Sequence, residues 1–243
     1  MQTNCYVLLP AYNEGLVISG LLNSLIEYDS SLNIVVVDDG STDSTASKVK
    51  EMQNNNIHLV QHESNKGLGC AVKTGFNYIL DKCNDFDIII TMDADGTHSI
   101  DHFSGLIENI KRGYDCVIAS RFTAGGEERG VAWHRRILSS AAGRIIKLLF
   151  SNSAGDYSSG FRSYNAGIMK KMRNSFGENY IQEKGFSCMA EILLKLFKID
   201  AKVKEIPLIL RYDLKQGKSK IKILETIFAY FRMFVRVKTS SIK

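Results

Sequence analysis

Asp93 and Asp95 stand one alanine apart at the end of an apolar run, in the segment IIITMDADGTH at residues 88–98. A buried strand that delivers alternating carboxylates at its C-terminal tip puts hard oxygen ligands at the edge where α/β sheets bind ligands. That arrangement suits a divalent cation and phosphate chemistry. The same pair can instead cap the next helix or shape a turn. Two further polar clusters follow similar runs: PAYNE at residues 10–14 and DDGST at residues 38–42. Asp38 and Asp39, after three valines, can accept hydrogen bonds from a base and a ribose. Ser41 or Asp43 can cap the following helix, and capping is the favoured role for Asp43. In SNKGLGCAVKTG, at residues 64–75, Lys66, Gly67 and Gly69 let backbone amides approach a pyrophosphate at a helix start, or else form a tight turn.

Chemistry that deprotonates a hydroxyl would need a general base, whereas an attacking phosphate is already ionised and would not. The candidates are Asp156, before the SSGF segment, and Glu191, in FSCMAEILL. The apolar setting of Glu191 fits either a functional acid or a hydrogen-bonded structural one. His58, His62, His98, His102 and His134 show no zinc-protease spacing, and only His98 is near enough to Asp93 and Asp95 to touch a metal or phosphate.

These residues need elements to hold them. Strand-like runs at 6–10, 34–37, 57–61, 88–92 and 116–120 alternate with helical patterns at 16–28, 42–52, 68–80 and 100–111. Strands that are apolar nearly throughout, separated by amphipathic helices, predict a doubly wound, mostly parallel sheet covered on both faces. Pro10 and Pro207 each follow a strand-like run. After Arg121 come the loop GGEERG, a helical stretch at about 133–150, the polar segment SNSAGDYSSGFRSY, a helical region near 181–197 and a short strand at 204–210. We read these as insertions around an active site.

The last run, 219–238, places Ile223, Leu224, Ile227, Phe228, Phe231, Phe234 and Val235 at three- and four-residue intervals, interspersed with lysines and arginines. Its longest uncharged stretch is six residues, 226–231, whereas crossing a bilayer takes about 20. It predicts a basic amphipathic helix that lies on a membrane surface, or one that packs on the domain's own core or a dimer partner. The expected division is therefore a catalytic domain over 1–217 and this helix over 218–243.

The 243 residues, 44% hydrophobic, suffice for one large domain. The N-terminus enters a strand-like run with no secretory-type leader, which predicts a cytosolic protein at the inner face of a membrane. Five scattered cysteines without a CxxC pair support neither a disulfide framework nor a zinc site. Residues 202–243 hold eleven Lys or Arg against three acids, which leaves twenty against twenty-three in residues 1–201. A basic end on a mildly acidic body, without a recognition motif, points to an anionic membrane surface and away from nucleic acid.

PAYNE, VVVDDGSTDST, NKGLGCAVKTG, MDADGTH, ASRFTAGG, DYSSGFRSY and GKSK, in this order, resemble family 2 glycosyltransferases of the GT-A nucleotide-diphosphosugar fold. Within them the chain looks like the dolichol/polyprenol-phosphate mannosyltransferase branch. The resemblance spans residue 6 to about residue 220. It implies transfer of a sugar from a nucleotide-sugar donor to a lipid phosphate or lipid-linked saccharide, with Mg²⁺ or Mn²⁺ as cofactor and inversion at the anomeric carbon. Carried over, Pro10, Tyr12 and Glu14 line the nucleotide pocket, with Lys66 beside it; Asp39 holds the base or ribose, and Asp93 and Asp95 form the metal-binding DxD pair. Arg121 and Arg135 or Arg136 match positions near an acceptor phosphate, and Lys220, with Arg211, Lys215 and Lys218, would supply the charge of an arginine that is missing from the GxSK segment. Two residues depart from the mannosyl-phosphate synthase pattern. Leu214 stands three residues before Gly217 where an arginine is usual, and Thr97 stands where a glutamine is frequent. The sugar and the lipid stay open on that account.

The DADGT motif also matches the nucleophile motif of haloacid-dehalogenase phosphatases, with Asp93 as nucleophile. That family carries it on the first strand, and here it follows the fourth. A sugar-nucleotide-binding scaffold without strong catalysis is the remaining alternative. An oxidoreductase is disfavoured because no GxGxxG follows the first strand.

Overall fold

The computed structural model describes residues 3–130, 154–211 and 223–240. The strands are β1 (Cys5–Ala11), β2 (Asn33–Asp38), β3 (Ile57–Gln61), β4 (Ile88–Thr91), β5 (Cys116–Ser120), β6 (Glu127–Arg129), β7 (Arg162–Asn165), β8 (Val203–Pro207) and β9 (Ile209–Arg211). The helices are α1 (Ile18–Tyr28), α2 (Thr45–Glu51), α3 (Leu68–Leu80), α4 (Phe103–Lys111), α5 (Ala166–Phe176), α6 (Cys188–Lys198) and α7 (Ile223–Thr239).

Among the described residues, seven strands form one sheet in the order β3-β2-β1-β4-β7-β5-β8, and β6 pairs with β9 apart from it. All pairs in the main sheet are parallel except those of β7, which runs antiparallel to both β4 and β5. The strand order reverses between β1 and β4. In a parallel α/β sheet that reversal opens a crevice at the carboxyl ends of the strands. The register brings the tips together there, with Ala11 opposite Asp38 and Leu8 opposite Thr91.

Alternation along the strands divides the apolar residues between two faces. Val7, Leu9, Val36 and Ile90 pack beneath α1 and α4; Leu8, Val35, Val37 and Ile89 pack beneath α3, α5 and α6. Nearly continuous apolar strands are what a sheet covered on both sides requires.

Two expectations need correction. The polar segment before residue 165 contains β7, a buried strand. Most of its polar groups find partners: Arg162 donates from Nη1 and Nη2 to the carbonyls of Met189 and Tyr157, both at 2.8 Å, and the Ser163 hydroxyl to that of Leu106 at 3.1 Å, while Arg162 Nε and the Tyr164 hydroxyl are buried without one among the described residues. The helical region near 181–197 starts only at Cys188, and α5, which precedes it, went unpredicted. The helix α7 gives Met233, Phe234 and Val237 to the domain core. Lys198 fastens the end of α7 by donating to the carbonyls of Val237 and Ser240 at 2.7 and 2.6 Å. Val235, Arg232 and Lys238 remain exposed. Among the described residues no helix is long and apolar enough to cross a membrane, and all five cysteines are free thiols.

Candidate functional site

The loops after β1, β2, β3 and β4 meet at the crevice. The PAYNE loop is clasped to the loop after β2: the Asn13 amide donates to Ser41 Oγ, that of Glu14 to Thr45 Oγ1 and that of Gly15 to Asp43 Oδ2, each at 2.9 Å. Asp43 also accepts from the Thr45 amide at the start of α2. Burial works to raise its pKa, but the hydrogen bonds from Thr45 and Gly15 prevail and hold it below the usual carboxylate range. Asp43 therefore ties two loops as well as capping a helix. Pro10, Tyr12 and Glu14 are all partly accessible along this edge.

Asp39 is buried and surrounded by donors. Its Oδ1 accepts from the Lys66 amide at 2.9 Å and from His62 Nδ1 at 2.7 Å; its Oδ2 accepts from the Gly67 amide at 2.8 Å. Because a carboxylate only accepts, the hydrogen-bond pattern places a His62 hydrogen on Nδ1, and Nε2 lies 3.0 Å from the Thr74 hydroxyl. The Lys66 side chain is exposed; its backbone amide makes the contact. Asp38 is spent on the Ser41 amide and on Gln61 Nε2.

At the β4 tip, Asp95 is buried and its Oδ1 accepts from both the amide and the hydroxyl of Thr97, at 3.1 and 2.7 Å. The Asp93 side chain is 40% exposed. Its amide donates to His98 Nδ1 at 3.1 Å, which leaves the His98 hydrogen on Nε2, 4.0 Å from Asp93 Oδ2. The His98 ring stacks on Phe161 at 4.8 Å. Gly160 lies so close that a Cβ there would come within 3.1 Å of Asp93 Oδ1. Among the described residues no group of three or more His, Cys, Asp or Glu is arranged around a metal position. Two carboxylates on one turn fit Mg²⁺ or Mn²⁺ of the kind that keeps waters and takes substrate phosphates as its other ligands.

Two further predicted residues, Arg121 and Glu191, are engaged by other protein side chains. Arg121, at the β5 tip, is fully engaged: its Nε and Nη2 bind the Asp156 carboxylate at 2.7 Å, Nη2 also reaches Ser158 at 2.6 Å and Nη1 lies 3.0 Å from Glu128. Burial would raise the Asp156 pKa, but the adjacent guanidinium outweighs it and holds the acid low. Glu191, fully buried in α6, accepts from the amides of Gln182 and Glu183 at 2.9 and 2.8 Å and pairs with Lys195 at 2.8 Å and Arg236 at 3.3 Å. Asp156 and Glu191 are thus both bound into ion pairs. Arg135, Arg136 and Lys220 lie outside the described residues, as do Leu214 and Gly217. His62 was missed as a site residue; its position directly after the β3 tip, at the same edge as Asp39, was the available signal.

A family model described as Glycosyl transferase family 2 matches residues 6–173. The chain is similar to polyprenol monophosphomannose synthase of Mycolicibacterium smegmatis, 28% identical over 205 residues, 83% of this chain and 75% of that one. It is also similar to UDP-N-acetylglucosamine–dolichyl-phosphate N-acetylglucosaminyltransferase of Methanococcus voltae, 28% identical over 220 residues, 84% of each. Among solved structures, glucosyl-3-phosphoglycerate synthase from Mycobacterium tuberculosis, in complex with Mn²⁺, UDP-glucose and phosphoglyceric acid, shares the fold with a TM-score of 0.68 at 17% identity, over 97% of this chain and 78% of that one.

Proposed function

The chain belongs to glycosyltransferase family 2, and we propose that it moves a sugar from a UDP- or GDP-linked donor to a polyprenyl phosphate, with inversion at the anomeric carbon and with Mg²⁺ or Mn²⁺ held by Asp93 and Asp95. The observation that carries this is the convergence at one switch point of the PAYNE loop, the Asp39 cluster and the Asp93–Asp95 turn. The first two form the nucleotide side and the last lies where the diphosphate would end. Pro10, Tyr12 and Glu14 line the nucleotide, and Asp39, with Lys66 at its rim, orients it. When bound, the ion supplies electrostatic stabilisation of the charge that grows on the leaving diphosphate.

A lipid phosphate is favoured over a lipid-linked saccharide by the state of the two candidate bases. Asp156 is held ionised by Arg121 and is a weak base, and Glu191 is enclosed by four hydrogen-bonding groups. A phosphate acceptor is already anionic and needs neither. Two relatives by name use different sugars, mannose and N-acetylglucosamine, on polyprenol or dolichyl carriers, which supports the carrier more than any one sugar. The basic C-terminal segment would hold the enzyme at an anionic membrane surface, on the cytosolic side.

The test is release of nucleoside diphosphate by the purified chain with Mn²⁺, over a panel of UDP- and GDP-sugars, with and without polyprenyl phosphate, beside Asp95→Ala. Metal-dependent release stimulated by the lipid and lost in the variant is expected. Release that ignores the lipid, or survives in Asp95→Ala, would overturn the assignment.

A further inference from the structure

The end of α7 reaches the donor pocket through a continuous chain of contacts. Arg236 Nη2 binds Glu183 Oε1 at 2.5 Å and Glu191 Oε1 at 3.3 Å. The second oxygen of Glu183 accepts from the Ser187 hydroxyl at 2.5 Å, and that of Glu191 accepts from the amides of residues 182 and 183. Between them these groups fix the backbone of residues 182–184. That backbone in turn seats the loop before α3. The Gly69 amide donates to the Lys184 carbonyl at 2.8 Å. A Cβ on Gly67 would come within 2.4 Å of that same oxygen, and one on Gly69 within 1.8 Å of the Glu183 carbonyl. The two segments meet backbone to backbone, with Gly67 at φ +95°, where side chains are disfavoured. On its other side the loop gives the amides of Lys66 and Gly67 to Asp39.

We propose that Arg236, acting with Glu183 and Glu191, is a positioning residue for the nucleotide-sugar site: it holds residues 182–184 against the Gly67–Gly69 loop, and so fixes the amides that orient Asp39. This rests on the donor site assigned above. The burial of the two carboxylates favours a specific role over a surface ion pair: Glu191 is fully buried and Glu183 nearly so, although the Arg236 side chain is 36% exposed, and with Lys195 as the other cation beside Glu191, removing Arg236 leaves two buried acids to one base. The consequence is that α7, the element expected at the membrane, is mechanically linked to the donor pocket 170 positions away in sequence, counting from Arg236 to Lys66.

The experiment compares the full chain with Arg236→Ala, Arg236→Lys, Glu183→Gln and a control on the exposed face of the same helix, Arg232→Ala. Amide hydrogen exchange of residues 65–70 is read without substrate, and donor KM and kcat with it. Exchange in 65–70 is expected to rise in Arg236→Ala and Glu183→Gln, with unchanged exchange in β1 and β2. Donor KM should rise about tenfold, with a smaller change in kcat. Arg236→Lys should recover part of both effects, and Arg232→Ala should match the parent chain. Unchanged exchange in 65–70 in Arg236→Ala and Glu183→Gln would overturn the proposal, as would a lowered unfolding temperature with donor KM unaltered. If the parent chain turns over no donor, the transferase assignment fails separately, and the exchange measurement still decides whether Arg236 positions the loop.

Discussion

At the β4 tip, Thr97 sets the orientation of the Asp95 carboxylate. With Oδ1 of Asp95 fixed by both the amide and the hydroxyl of Thr97, the carboxylate is already oriented, and under the proposed function Thr97 is the outer-shell partner of a metal ligand. Thr97→Val removes the hydroxyl at nearly constant volume, and Mn²⁺ affinity measured by titration should fall about tenfold or more. An unchanged affinity would mean that the amide alone suffices. Arg121, at the tip of β5, is held by Asp156, Ser158 and Glu128. Arg121→Ala should cost about 3–5 kcal/mol in denaturant unfolding, because it strands the buried Asp156 carboxylate. The sign with pH follows from the lowered Asp156 pKa. Its contribution is present above the unfolded carboxylate value of about 3.9 and is lost as pH falls through the folded value. The parent chain should therefore lose stability in acid more steeply than Arg121→Ala, in which the advantage of ionised Asp156 is already gone.

The elements that carry the site were largely legible, and the reasons differ by segment. The strands β1 to β5 and helices α1, α3 and α4 declare themselves because the strands are mostly apolar and these helices carry an apolar stripe, so period and length agree. The strand β7 does not, because Arg162 and Ser163 are polar residues whose burial depends on carbonyls supplied by distant residues, Met189 and Leu106. No local pattern reports such partners. The DxD turn and PAYNE loop were readable as polar residues after strand-like runs. The engagement of Arg121 and Glu191 was not, because their partners Asp156, Glu128 and Arg236 are set by tertiary contact. Gly69 shows the same dependence: its glycine pattern suggested a phosphate loop, while the structure adds that the Glu183 carbonyl leaves no room for a side chain. Gly69→Ala must shift one of two backbones and should destabilise by about 1–3 kcal/mol in urea unfolding. No loss would show that the 182–184 turn yields freely.

At the scale of the molecule, charge and apolar surface are partitioned along the chain. The acidic body holds the crevice and the basic C-terminal segment ends in a helix already bound to the body through Met233, Phe234, Val237 and Arg236. Under the proposed function, that arrangement brings a donor site open to a water-soluble nucleotide sugar close to a surface where a lipid phosphate resides. The most direct measurement is the transfer of radiolabelled sugar from a nucleotide-sugar donor into the organic phase, with polyprenyl phosphate in anionic vesicles, Mn²⁺ and the intact chain, beside Asp95→Ala. Lipid-soluble label that requires the ion, the polyprenyl phosphate and Asp95 is the predicted result. Nucleotide release with all label remaining in the aqueous phase would contradict transfer to a lipid phosphate.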